Sequence, residues 1–357
     1  MKLSDSKIIL ISGGTGGHVF PAIALSEEMK RLSINHYVIT DKRCRHIFEN
    51  RNLSCKVINS SPISNKKILL IPISIIKIFL GLIDSVFFFI REKPCLVIGF
   101  GGYTSFPSII AARLLKIPII LHEQNAVMGK ANKFLSNFSD FIALTFEKTI
   151  HAPRKSIYTG IPIRSDFFSK KKLFKNVNDK LRVLVLGGSQ GATIFSKIIP
   201  EIISLLKKED LVRVNLVQQA RKADIKKLKN LYMSINLDFI VKDFFTNISE
   251  EMYNSDIIIS RCGASTLAEI NACSKFCILF PLLTAKDNHQ YENAEQFSKG
   301  NDCMIINENR FNASDISNVI RKHILNKKSF IEKKKKLVSN NNNATQRIIE
   351  LIKKVKK

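Results

Sequence analysis

The stretch "IILISGGTGGHVFPAIAL", Ile8 to Leu25, sets an apolar β-branched run, four glycines within five residues and an amphipathic segment in immediate succession. That order reads as a buried strand turning tightly into a helix, because glycine permits close approaches and backbone angles that other residues resist. "VLVLGGSQGAT", Val183 to Thr193, repeats the arrangement in the second half of the chain. Short apolar runs follow each opening: "NHYVIT", "CLVIGF", "IPIILH", "DFIALT" and "KSIYTG" first, then "VRVNLVQQ", "DFIVKDF", "DIIISR", "FCILFPL" and "CMIINE". Near-continuous apolar strands alternating with amphipathic segments predict parallel sheets covered on both faces. The expected class is α/β, with two Rossmann-like doubly wound parallel-sheet domains facing a cleft, and ligands at the carboxyl ends of the strands.

The 357 residues suit two domains. Residues 1–163 form the expected first domain and 181–340 the second. The polar, lysine-rich "RSDFFSKKKLFKNVNDK", Arg164 to Lys180, is the expected linker. Residues 341–357 include a final amphipathic helix that could pack on either domain. Pro21 is expected in the first turn of its helix. Net charge is +26, from 56 Lys+Arg against 30 Asp+Glu. Nucleic acid, an anionic membrane and anionic small molecules all suit such a surface, as does unselected compositional drift. The seven cysteines are scattered without a CxxC pair, which predicts reduced thiols and no metal cluster. "MKLSDSKIILIS" lacks a signal-peptide pattern, and a cytoplasmic protein is expected.

A glycine-rich strand-to-helix loop lets backbone N–H groups reach an anion at the positive end of a helix. Neither G-x-G-x-x-G, which would need glycine at Val19, nor the P-loop lysine is present, so neither a nicotinamide dinucleotide nor a Walker-type site is supported. "GFGGYTSFPS", Gly99 to Ser108, supplies another such loop, and the set suggests two phosphate-bearing ligands. "RCGASTLAEI" sits after a strand and puts Glu269 early in a helix, where it could hold a ribose diol or interact with the helix dipole. "DNHQYENA" and "LHEQNAVMGKAN" are polar clusters suited to sugar hydroxyls.

Taken in order, "GGTGGH", "GFGGYTSFPS", "HEQN", "TGIPIR", "GGSQGA", "RCGASTLAE" and "DNHQYENA" resemble the family of UDP-N-acetylglucosamine:lipid I N-acetylglucosaminyltransferases, which make lipid II for peptidoglycan. The resemblance spans nearly the whole chain and implies a GT-B fold, an inverting transfer to the muramyl 4-hydroxyl, and peripheral attachment to the cytoplasmic side of the inner membrane. It implies UDP-N-acetylglucosamine and lipid I as substrates and an anionic membrane surface and cell-wall synthesis proteins as partners; scattered lysines without aromatic-basic interleaving argue for no nucleic acid. Donor contacts would come from Thr15, Gly16, Gly17, His18, Asn125, Arg164, Ser189, Gln190, Gly191, Phe245, Glu269 and Gln290. Gly13, Gly14, Gly101, Gly102 and Tyr103 would face the acceptor diphosphate. His289 stands where some relatives carry a second glutamine. His18 is the candidate base, since a neutral alcohol must lose a proton and imidazole accepts one near neutrality. It could instead hydrogen-bond the substrate or cap the loop. Tyr103 and Glu123 are further catalytic candidates, with Asp41 and His122 as alternatives. No Asp-x-Asp motif occurs, so catalysis without a required metal or other cofactor is expected. A different glycolipid acceptor, and a basic nucleic-acid-binding or scaffold role, are the rival readings.

"KKILLIPISIIKIFLGLIDSVFFFIREK", Lys66 to Lys93, is apolar enough to suggest a spanning helix, but Pro72, Lys77 and Asp84 interrupt it. Ser74, Lys77, Gly81, Asp84 and Ser85 share one helical face, which also carries Phe88, and Ile76, Phe79, Ile83 and Phe87 share the other. Lys66, Lys67, Arg91 and Lys93 flank the run. The expectation is an interfacial segment on an anionic leaflet, with Phe88 contributing.

Overall fold

A computed structural model describes residues 6–62, 71–169, 180–188, 192–327 and 344–355. Ser189, Gln190, Gly191, most of the expected linker, Lys66, Lys67 and the polar run before the last helix lie outside the described residues. The chain divides into two compact units: 1–165 with 342–357, and 166–341.

The first unit is built on seven parallel strands: β1 (Ile8–Ile11), β2 (His36–Thr40), β3 (Cys55–Val57), β4 (Leu96–Gly99), β5 (Ile119–Glu123), β6 (Phe141–Leu144) and β7 (Ser156–Tyr158). Their order is β3-β2-β1-β4-β5-β6-β7. Register pairs Ile8 with His36 on one side of β1 and with Leu96 on the other. All four β1 residues are buried, and alternation sends them both ways. Ile8 and Leu10 join one core layer with Val19, Ile23 and Phe48; Ile9 and Ile11 join the other with Val97, Ile109 and Leu121. The first layer is covered by α1 (Gly16–Arg31) and α2 (Arg45–Glu49), the second by α3 (Ile71–Glu92), α4 (Ser105–Leu114) and α5 (Lys130–Leu135). Because α1 already starts at Gly16, Pro21 lies in its second turn rather than its first, so the Gly17 carbonyl has no N–H four residues on.

In the second unit, α6 (Asp166–Ser169) leads to β8 (Leu181–Leu186), α7 (Phe195–Ser204), α8 (Lys208–Leu211), β9 (Val214–Gln219), α9 (Lys222–Ser234) and β10 (Asp238–Lys242). After them come α10 (Ile248–Asn254), β11 (Ile257–Arg261), α11 (Ala264–Cys273), β12 (Phe276–Phe280), α12 (His289–Ser298), β13 (Cys303–Ile305) and α13 (Ala313–Leu325). The strands run parallel in the order β10-β9-β8-β11-β12-β13. The last helix, α14 (Ala344–Val355), belongs to the first unit, where Ile348, Ile349, Leu351 and Ile352 enter the core layer of Ile8 and Leu10.

Both sheets have one topological switch, between β1 and β4 and between β8 and β11. Connections leave in opposite directions there, which opens a crevice at the strand ends. In the first unit the loops at the switch are the glycine-rich ones after β1 and β4.

Candidate active site

In the first unit the loops after β1 and β4 touch. A Cβ on Gly13 would lie 2.7 Å from Thr104 Oγ1, so only glycine lets them approach this closely. Gly14, Gly101 and Gly102 take φ of +85°, +83° and +75°, angles that favour glycine. Thr15 is extended at the start of α1 and its side chain does not cap the helix. The first-turn amides, at Gly16 and Gly17, are thereby left to an anion or water.

Asp41, at the end of β2, fastens these loops. Its carboxylate accepts from Gly14 N at 3.0 Å, Tyr103 Oη at 2.8 Å, Thr104 Oγ1 at 3.2 Å and Cys44 N at 3.0 Å. Burial opposes its charge, but the hydrogen bonds from Tyr103 and Cys44 and the Arg43 guanidinium together outweigh it and hold the carboxyl below its usual range. Burial and the Asp41 carboxylate push the Tyr103 phenol up to about 12. Tyr103 thus stays protonated near neutrality and serves as a donor, not a base. Arg43 donates to the Tyr103 hydroxyl and, at 3.2 Å, to Gly14 O, while its side chain remains largely exposed beside the crevice.

His18 sits in the first turn of α1. Its Nδ1 is 3.0 Å from Gln124 Oε1, and Gln124 Nε2 reaches Phe100 O at 2.9 Å and His122 Nδ1 at 3.2 Å. His122, the alternative base, is fully buried with Nε2 3.1 Å from Gly160 O, and burial pulls its pKa down to about 4. Glu123 points the other way, into its own loop. It accepts from Asn125 N at 3.0 Å, Asn125 Nδ2 at 3.3 Å, Gly129 N at 3.1 Å and Asn132 Nδ2 at 2.8 Å. Four donors and burial make it a brace for the loop that carries Asn125. Arg164 stacks on Phe20, its guanidinium 5.3 Å from the ring centre.

In the second unit Glu269 is buried in the second turn of α11. Gln290, in α12, accepts from Cys262 N at 3.2 Å and Leu282 N at 3.0 Å, tying the loop after β11 to the loop after β12. Asn293 adds a bond from Nδ2 to Cys262 O at 3.0 Å. Phe245 is buried, and Phe244 beside it is exposed. Arg261 ends β11 in an ion pair with Glu308 and donates to Phe280 O at 3.2 Å. Among the described residues no group of three or more His, Cys, Asp or Glu side chains is gathered as a metal site.

Gln124, Asn132, Arg43, Asn293 and the Arg261–Glu308 pair were not marked out by the sequence reading. Gln124, Asn132 and Asn293 fall within polar clusters already singled out, but the bonds of Gln124 to His18 and Phe100 and of Asn293 to Cys262 join residues far apart in sequence, so spacing gave no sign of them.

The chain matches the glycosyltransferase family 28 N-terminal domain over 8–144 and the family 28 C-terminal domain over 182–352. The chain belongs to glycosyltransferase family 28. It is 37% identical over 298 residues, 81% of this chain and 82% of the other, to the UDP-N-acetylglucosamine–N-acetylmuramyl-(pentapeptide) pyrophosphoryl-undecaprenol N-acetylglucosamine transferase of Rickettsia bellii. The Rickettsia canadensis enzyme of that name is 34% identical, with 90% and 92% covered. The crystal structure of Acinetobacter baumannii MurG superposes with a TM-score of 0.76 at 25% identity, covering 98% of this chain and 99% of that one. The family 28 assignment and this neighbour give the two parallel-sheet units a GT-B fold.

Proposed function

We propose that this protein transfers N-acetylglucosamine from UDP-N-acetylglucosamine to the 4-hydroxyl of the muramyl sugar of lipid I, giving lipid II and UDP. Two curated relatives named for this transferase, each matching most of the chain, support the donor and acceptor. The observation that carries the chemistry is His18, held through Nδ1 by Gln124 at the opening of the β1/β4 crevice. His18 takes the proton of the attacking hydroxyl as its oxygen bonds to the anomeric carbon. The bond from that carbon to the diphosphate oxygen breaks, and UDP leaves with the electron pair. The bare backbone of Gly13, Gly14, Gly101 and Gly102 faces the acceptor diphosphate, with Tyr103 and Arg43 bordering it, and the uncapped amides of Gly16 and Gly17 join His18 among the donor contacts. Glu269 holds the ribose diol. Gln290, Asn125, Arg164, Phe245, Thr15 and the loop 189–191 complete the donor contacts.

We place this chemistry at a membrane surface because of α3. Its small residues face inward: Ser74, Gly81 and Ser85 are buried, and Ser85 Oγ lies 2.8 Å from Ser108 Oγ of α4, while Lys77 is exposed. A Cβ on Gly81 would fall 1.9 Å from Asn59 O, so the helix lies against the loop after β3. Lys56 pairs with Asp84 at 2.7 Å. The apolar side therefore faces out, with Ile76 58%, Phe79 59% and Phe87 69% exposed. An ordinary amphipathic helix does the reverse. Phe88 is a correction to the sequence reading: it is half-buried against Tyr37 and beneath Lys56, and Phe87 is the exposed ring. α3 is long and apolar enough to span a bilayer by length and composition. Its docking on α4 and its Lys56–Asp84 pair instead favour lying in the interface.

Incubation with radiolabelled UDP-N-acetylglucosamine and a short-chain lipid I analogue tests the activity. Label should move to the lipid, and UDP binding without transfer to lipid I would leave a different acceptor as the reading.

A further inference from the structure

A chain of hydrogen bonds at the carboxyl end of the first sheet has a direction, and the direction can be read from its fixed end. Gly160 O can only accept, so His122 Nε2 carries a proton. Burial keeps the His122 ring neutral near neutrality, which leaves a lone pair on Nδ1. Gln124 Nε2 lies 3.2 Å from that lone pair, 2.9 Å from Phe100 O and 3.2 Å from His122 O. With three acceptors around this end, a flipped carboxamide would set oxygen against oxygen. Gln124 Oε1 must then face His18 Nδ1, 3.0 Å away, and accept from it. His18 accordingly bears its proton on Nδ1 and its lone pair on Nε2.

We infer that Gln124 is a positioning residue for the transfer: locked by His122 and the Phe100 carbonyl, it fixes His18 in the tautomer whose Nε2 receives the proton of the attacking hydroxyl. The inference rests on the reading of His18 as base. The ring edge that bears Nε2 borders the loop after β4, since a Cβ on Gly102 would sit 3.3 Å from His18 Cδ2 and 3.5 Å from Nε2. No proton travels along the chain. The hydroxyl proton stops at His18 Nε2, the Nδ1 proton stays where it is, and the neutral Gln124 dipole holds the resulting imidazolium in place.

Two-bond ¹H–¹⁵N correlations on the ¹⁵N-labelled full chain at about pH 8, above the usual imidazole range, distinguish the two tautomers. His18 is assigned as the ring lost in His18→Gln. His18 should be protonated at Nδ1 and His122 at Nε2, and Gln124→Met should convert His18 largely to the other tautomer. In that variant kcat should fall at least about tenfold, part of the roughly 10²–10⁴-fold that a base contributes, with KM for both substrates within about twofold. Parental His18 protonated at Nε2 overturns the proposal without any variant being made. So does a folded Gln124→Met with parental tautomer or parental kcat. If the parental tautomer is as expected but His18→Ala turns over normally, the base reading falls and the catalytic role of Gln124 falls with it.

Discussion

The two units share the strand order 3-2-1-4-5-6 and the position of the switch, yet they place different side chains there. The first fills its strand ends with titratable groups locked to one another: His18 and His122 through Gln124, and Tyr103 to Asp41. The second uses the amides of Gln290 and Asn293 to tie the loops after β11 and β12, beside an Arg261–Glu308 pair and the buried Glu269. The scaffold supplies the crevice, and the side chains at its rim decide the work done. Under the proposed function this contrast would have the first unit move the proton and the second hold the uridine nucleotide.

The largest expected effect tests that division directly. His18→Ala should lower turnover by about two to four orders of magnitude at saturating substrates while UDP affinity, read by calorimetry, stays near parental. Loss of UDP binding would break the division by moving His18 to donor recognition. The converse is Glu269→Ala, which should weaken UDP and UDP-N-acetylglucosamine together. A lost charge-assisted hydrogen bond is worth roughly 1.5–3 kcal/mol, about 10- to 150-fold in Kd. Unchanged binding would return Glu269 to a structural role in α11.

The strand-loop-helix openings and the run of apolar strands make both sheets legible in the sequence, because parallel strands buried on two faces must be apolar throughout. The glycines at 13, 14, 101 and 102 were legible for a related reason: few other residues fit where two backbones nearly touch. The partners of Glu123 and Gln124 were not. A buried carboxylate serving four amides and a free one reaching substrate have the same sequence, and only the direction of the side chain after β5 separates them. The inward face of α3 was hidden for the opposite reason. Its helical periodicity separates the two faces, but which side meets the protein depends on Asn59, Pro107 and Ser108, from elements outside it.

A smaller effect probes the buried titratable groups of the first unit through pH. His122 falls from an ordinary 6.5 to about 4 on burial. Above the higher value neither state holds the proton, and the contribution to stability is complete. As pH drops below it, the unfolded chain binds a proton that the folded one refuses, so stability is lost down to the lower value. Between about pH 7 and pH 5 the loss should be about 2 kcal/mol, read as a falling urea midpoint. His36, also lowered chiefly by burial, adds in the same direction. His122→Phe should flatten the slope by its own share, and an unchanged slope would remove His122 from the account.

The smallest effect concerns a feature for which the described second unit has no counterpart. Exposed apolar residues there are scattered, such as Met233 at 64% and Leu205 at 51%, whereas those of α3 form one face. Scattered exposure is ordinary, and a continuous face calls for a partner surface. In flotation with vesicles, binding should rise with anionic lipid and fall with salt. Phe87→Ser should weaken it by about 1 kcal/mol, roughly fivefold, as part of the transfer energy of one ring. Met233→Ser, equally exposed but isolated, should change nothing, and neither should affect transfer to a soluble acceptor analogue. Equal losses in both variants would make attachment a matter of general apolar exposure. A loss in neither would leave electrostatic attraction as what remains to hold the protein at the membrane.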